Sequence, residues 1–217
     1  MSIKIHTGGR LRRWIGGRLG GDFELGDRAY RRLLHCLGAL VLLYFVLPRR
    51  LIGNFTAEEL LLVGLGLVLV LELLRWVVGV ELPTIRSYEK ARVASYTFYA
   101  IALVAAVLLF PLPVALVVVL GTALIDPLVG ELRLSDRWRP TYPWFPGAIY
   151  VLLGAGALIL VTHWSAFAAV VAAGIAAIIA LAVERPKIPQ LDDDLAMTLV
   201  PGLVLAALIY FVPAIFP

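Results

Sequence analysis

Residues 57–78 read Ala57-Glu-Glu-Leu-Leu-Leu-Val-Gly-Leu-Gly-Leu-Val-Leu-Val-Leu-Glu-Leu-Leu-Arg-Trp-Val-Val78. After Glu59 only Glu72 and Arg75 interrupt an apolar run. A helix needs about 20 such residues to cross a hydrocarbon core about 30 Å thick. In lipid the backbone must satisfy its own hydrogen bonds, which leaves helices or closed barrels. The run is continuous rather than alternating, and that selects a helix. Similar runs recur along the chain of 217 residues, which is 61% hydrophobic with a mean hydropathy of +0.93. Soluble domains are only about 45–50% apolar, so this excess cannot be buried in one globular core.

The expected fold class is therefore all-α, a polytopic membrane protein with seven spans near 33–48, 57–78, 94–112, 114–130, 144–163, 166–183 and 196–216. Short connections at Pro111-Leu-Pro113 and His163-Trp-Ser165 predict tight helical hairpins. Residues 1–26 form a basic cytosolic or interfacial tail, and 27–217 a single transmembrane domain. In the tail, Leu11, Trp14 and Ile15 among arginines suit the anionic inner leaflet, while the many glycines suit a disordered tail that helps set topology. No cleavable signal peptide is expected, because the first 26 residues lack an apolar core. Cys36 is the sole cysteine, which excludes an intrachain disulfide or a cysteine-based metal site.

Basic residues set orientation. In this topology all of the 19 Lys and Arg except Arg49 and Arg50 fall on the side of the N-terminus. That predicts a cytosolic N-terminus and an external C-terminus. The same side collects Glu72, Glu81, Glu89, Glu131, Asp136, Glu184 and Asp192 to Asp194, with Asp126 about a turn inside the bilayer edge. A chain with one chemically rich face and one bland face suits a membrane-embedded enzyme. A channel or transporter more often needs polar groups along a path between both faces.

Four constellations can carry chemistry. Arg31-Arg32-Leu-Leu-His35 starts the first span, with Arg31 and His35 on one helix face. Guanidinium groups suit phosphate; the plain alternative is an arginine anchor. Glu72 and Arg75 have the spacing of an intrahelical ion pair, followed by a basic loop containing Arg86, Glu89, Lys90 and Arg92 and then Ser95-Tyr-Thr97. Asp126-Pro127, between Gly121 and Gly130, puts an acid and a helix breaker inside an apolar run; the alternative is an Asp that caps a turn starting at Pro127. Glu184 closes the sixth span, and Asp192-Asp193-Asp194 lead into the seventh. Acids there meet the positive end of a helix dipole, but three in a row repel one another unless a cation intervenes. Magnesium is commonly held by one or two carboxylates plus substrate phosphates. Neither GxxxxGK[ST] nor a Rossmann glycine fingerprint is present, and the histidines have no zinc-site spacing.

On these residues the chain, from about Arg28 to Leu203, resembles the CTP-dependent lipid-alcohol kinases, which include dolichol kinase, phytol kinase and the CTP-using diacylglycerol kinase. The resemblance is carried by Arg31-Arg32-Leu-Leu-His35, by Glu72 and Arg75 with Glu89-Lys-Ala-Arg92 and Tyr96-Thr-Phe98, by Asp126-Pro-Leu-Val-Gly130, and by Glu184 with Asp193-Asp194-Leu195. Asp194 stands where the family has Asn, and the basic stretch after Gly130 is compressed, with Arg139-Pro-Thr141 and Gly147 a loose match. The resemblance implies a transmembrane catalytic domain that phosphorylates a dolichol- or polyprenol-type alcohol at the cytosolic interface, with CTP as donor and Mg²⁺ as cofactor. Asp126, Asp193, Glu184 and His35 would be catalytic. Asp126 and Asp193, with Glu184 or Asp194, would hold the metal. Arg31, Arg32, Lys90, Arg92 and Arg139 would steady phosphates. Membrane lipids are expected partners and nucleic acid is not. Gly154, Gly156 and Gly174 could pack helices within or between chains. A CTP-using lipid cytidylyltransferase shares this set of residues, and a small transporter or scaffold is the non-enzymatic alternative.

Overall fold

The computed structural model of the chain describes residues 23–48, 50–79, 85, 89, 92–184 and 192–216. They are nearly all helical. In chain order come α1 (Phe23–Leu37), a 3-10 helix (Gly38–Phe45), the strands β1 (Arg50–Ile52) and β2 (Phe55–Thr56), α2 (Ala57–Val78), α3 (Ser95–Leu109), α4 (Leu112–Leu120), a π turn (Gly121–Ile125), α5 (Asp126–Leu134), a 3-10 turn (Arg139–Thr141), α6 (Trp144–Thr162), α7 (Ala166–Val183) and α8 (Asp193–Phe211). The two strands form a small antiparallel hairpin.

Local chemistry explains several boundaries. Thr56 and Glu59 form a reciprocal capping box at the start of α2: the Thr56 hydroxyl accepts from the Glu59 amide at 3.1 Å, and the Glu59 carboxylate accepts from the Thr56 amide at 2.8 Å. Gly79, with φ of 73°, closes the helix in the left-handed region. This reproduces the expected 57–78. Ser165 caps α7 by accepting from the Ala168 amide at 3.2 Å.

Among the described residues, five helices are long and apolar enough to cross a membrane: α2, the composite Leu112–Leu134, α6, α7 and α8. Two of the seven expected spans differ in form. The first is divided into α1 and the 3-10 helix at Gly38. The third is α3, whose 15 residues rise only about 22 Å. α1 also begins at Phe23, ahead of the expected domain boundary at 26/27.

The core is centred on α4, where Val114 to Val119 are all buried. A helix apolar and covered all round belongs at the middle of a bundle. α4 packs on α6 and α8; α7 joins α6 to α8; α3 packs on α8 and carries α2 on its other side. α7 offers small residues inward, Ala168, Ala169, Ala172, Ala173, Ala176, Ala177 and Ala180. Gly154 of α6 meets this stripe so closely that an added Cβ would lie 3.1 Å from the Ala173 methyl. Such close backbone approach is how helices associate where lipid removes the hydrophobic drive. Leu67, Leu73, Leu152, Leu160, Ile178 and Leu203 are exposed on the outside of the bundle. That surface suits hydrocarbon.

Candidate functional site

Asp126 is the first residue of α5, directly after the π turn. Pro127 accounts for the irregularity. It has no N–H for the carbonyl of Ala123, and its ring would crowd that carbonyl in a regular helix. One wide turn relieves the clash and turns Asp126 into the bundle; π turns occur often at functional sites. Asp194 lies in the first turn of α8 behind Asp192, whose carboxylate caps the helix by accepting from the Asp194 amide at 3.1 Å. His35 lies in the last turn of α1.

These three elements deliver their side chains to one point. His35 Nε2 lies 3.2 Å from Asp194 Oδ1 and 3.6 Å from Asp126 Oδ2. One ligand atom from each of the three residues lies within 4.8 Å of the others. Both Nε2 contacts are ion pairs when the imidazole is protonated. Two carboxylates and an imidazole around one point can hold a divalent cation or share a proton. Just outside the helix, burial and the Asp194 carboxylate push Asp192 up to about 6.

Tyr99 of α3 holds His35 in place. Its ring stacks on the imidazole at 3.8 Å between centroids, and its hydroxyl donates to the His35 carbonyl at 2.5 Å. Gly38 makes this possible: an added Cβ would lie 2.0 Å from the Tyr99 oxygen. A cleft of about 90 Å³ opens beside the cluster, lined in part by Arg31, His35, Glu89, Ser95, Tyr99 and Asp194.

The cleft wall is fastened by Glu72 and Arg75, both buried. Arg75 donates to Glu72 Oε2 at 2.9 Å and to Oε1 at 2.6 Å. It also donates to the carbonyls of Glu89 at 3.2 Å and Arg92 at 2.6 Å. Glu72 accepts in addition from the Tyr96 hydroxyl at 2.6 Å, the Trp76 indole at 3.1 Å and the Ala94 amide at 3.0 Å. The expected ion pair thus joins the end of α2 to the start of α3.

The structure sorts the expected site residues. Asp126, Asp194 and His35 come together, and Arg31 borders their cleft. Asp193 and Glu184 are not members of the trio, although their charges reach Asp126. Glu184 is instead gripped by Arg133, which donates to both its oxygens, and by the Tyr142 hydroxyl at 2.9 Å. Arg32 pairs with Glu131 of α5. Arg92 gives its carbonyl to Arg75. Arg139 is exposed on its 3-10 turn and does not line the cleft. Lys90 lies outside the described residues. Of the expected metal set, Asp126 and Asp194 thus meet beside His35, while Glu184 is engaged in an ion pair with Arg133. Tyr99, Arg133 and Tyr142 were not expected as site residues. Tyr99 follows Tyr96 by three positions, a spacing that puts both on one helix face, and this was the available signal.

No family model matches the chain, and no curated protein or solved structure matches it.

Proposed function

We propose that the protein is a membrane-embedded kinase that transfers the terminal phosphoryl group of CTP to a long-chain isoprenoid alcohol of the dolichol or polyprenol type. The observation that carries this reading is the convergence of Asp126, Asp194 and His35 from three separate helices, beside an arginine-bordered cleft at the ends of apolar helices. The lipid tail would lie along the apolar exterior and bring its hydroxyl to that end. The basic residues on the site's side favour a cytosolic location, where CTP is available.

The donor set suits Mg²⁺ through its two carboxylates, with substrate phosphates completing the shell. Asp126 and Asp194 would hold the ion, which supplies charge neutralisation to the triphosphate. Arg31 would pair with phosphate oxygens. His35, held by Tyr99, would accept the alcohol proton at Nε2. The alcohol oxygen forms a bond to the γ-phosphorus while the bond from that phosphorus to the β–γ bridging oxygen breaks, leaving lipid phosphate and CDP.

The test is a product assay on purified protein in nanodiscs with Mg²⁺, each of the four nucleoside triphosphates, and dolichol, polyprenol, phytol or diacylglycerol. CDP and a phosphorylated isoprenoid alcohol are expected. Pyrophosphate, formed with a lipid phosphate in place of the alcohol, would make the protein a cytidylyltransferase. Neither product under any condition would leave the transporter or scaffold reading.

A further inference from the structure

Thr122 and Thr198 are fully buried and face each other, Oγ1 to Oγ1, at 2.7 Å. Thr122 lies in the π turn four residues before Asp126, and Thr198 lies four residues after Asp194. The two hydroxyls therefore meet about one helical turn below the two carboxylates. Thr198 Oγ1 is also 2.7 Å from the Asp194 carbonyl, to which it donates. A hydroxyl has one proton. With that proton committed to Asp194, the bond between the threonines must run from Thr122 to Thr198. The result is a directed chain from the Thr122 hydroxyl, through the Thr198 hydroxyl, to the backbone of Asp194. Such chains strengthen in a low-dielectric interior.

We propose that Thr122 and Thr198 are a positioning pair that fixes the separation of Asp126 and Asp194, and so tunes the affinity of the site for a divalent cation. This rests on the cation role given to the two carboxylates above. The pair touches neither nucleotide nor alcohol. It acts by locking the π turn to α8, two backbone segments that otherwise meet mainly through apolar packing. Thr122 without its partner would leave a buried donor unpaired, and Thr198→Val would also remove the second hydrogen bond that the Asp194 carbonyl accepts beside that of the helix. The loss should accordingly be larger for Thr198→Val than for Thr122→Val.

The experiment uses Mn²⁺ alone as probe, with the full chain in nanodiscs, and reads the free-ion signal by electron paramagnetic resonance. Thermal unfolding is recorded in parallel. Thr122→Val should weaken Mn²⁺ binding about tenfold, the scale seen when groups that orient metal ligands are removed. Thr198→Val should weaken it further, and Thr198→Ser, which keeps the hydroxyl, should bind nearly as the parent does. Valine variants that fold and bind Mn²⁺ as the parent does would overturn the proposal. So would a Thr198→Ser variant as weak as Thr198→Val, because packing would then be the cause, and so would a parent protein that binds no Mn²⁺. Threonine-dependent Mn²⁺ binding in a protein that makes no CDP would uphold the positioning pair and reject the kinase reading.

Discussion

Asp192, Asp193 and Asp194 are chemically identical neighbours with three different situations. Asp192 caps α8, Asp194 meets His35 and Asp126, and Asp193 lies outside the trio. Successive residues of a helix point about 100° apart, so only one of them can face a given partner. Their variants should separate accordingly. On the proposed kinase reading, Asp194→Asn and Asp126→Asn should lower CDP formation by more than the roughly 10- to 100-fold that follows loss of groups that only support metal ligands. Asp193→Asn should lose much less. Equal losses at Asp193 and Asp194, measured at saturating CTP and alcohol, would show that the trio is not the catalytic grouping.

At the scale of elements, the bundle depends on a few fastenings between helices that are otherwise joined by apolar contact. Among the described residues the Glu72–Arg75 pair is the most heavily used, because it holds two backbone carbonyls, an amide, an indole and a hydroxyl. A buried charge that loses its partner is expensive, about 3 kcal/mol or more. Arg75→Leu should therefore lower the melting temperature of the purified protein clearly, and Glu72→Leu added to it should restore part of the loss. An Arg75→Leu protein that melts with the parent would reduce the pair to an incidental contact. The spacing of Glu72 and Arg75 was legible in the sequence as an ion pair. Its reach to Glu89, Arg92, Ala94 and Tyr96 was not, because those partners come from a loop and a second helix whose approach no local pattern encodes.

At the scale of the whole molecule, polar groups gather at one end of the helices, while the hairpin at Gly53 and Asn54 lies at the other end of α2, about 33 Å away along the helix. Orientation can be read by labelling single cysteines with an impermeant maleimide, after Cys36 is changed to Ser. Asn54→Cys should react in intact cells. Asp136→Cys, in the exposed connection after α5, should react only once the membrane is opened. The reverse pattern would put the cleft outside, away from cytosolic CTP.

Apolar runs, basic asymmetry and the acids at span edges are properties of the chain itself. They determined an all-α membrane fold, the bounds of α2, α6 and α7, and the singling out of Asp126, His35 and the aspartate cluster, of which Asp126, His35 and Asp194 meet at one point. Transfer into lipid depends on composition along the chain, so a linear reading suffices for it. The approach of Asp194 to His35 and Asp126, the engagement of Glu184 by Arg133, the hold of Tyr99 on His35 and the meeting of Thr122 with Thr198 were decided only by tertiary structure. Each depends on the rotation of one helix about its axis relative to another, and a break such as the π turn at Gly121–Ile125 shifts that rotation for every residue that follows.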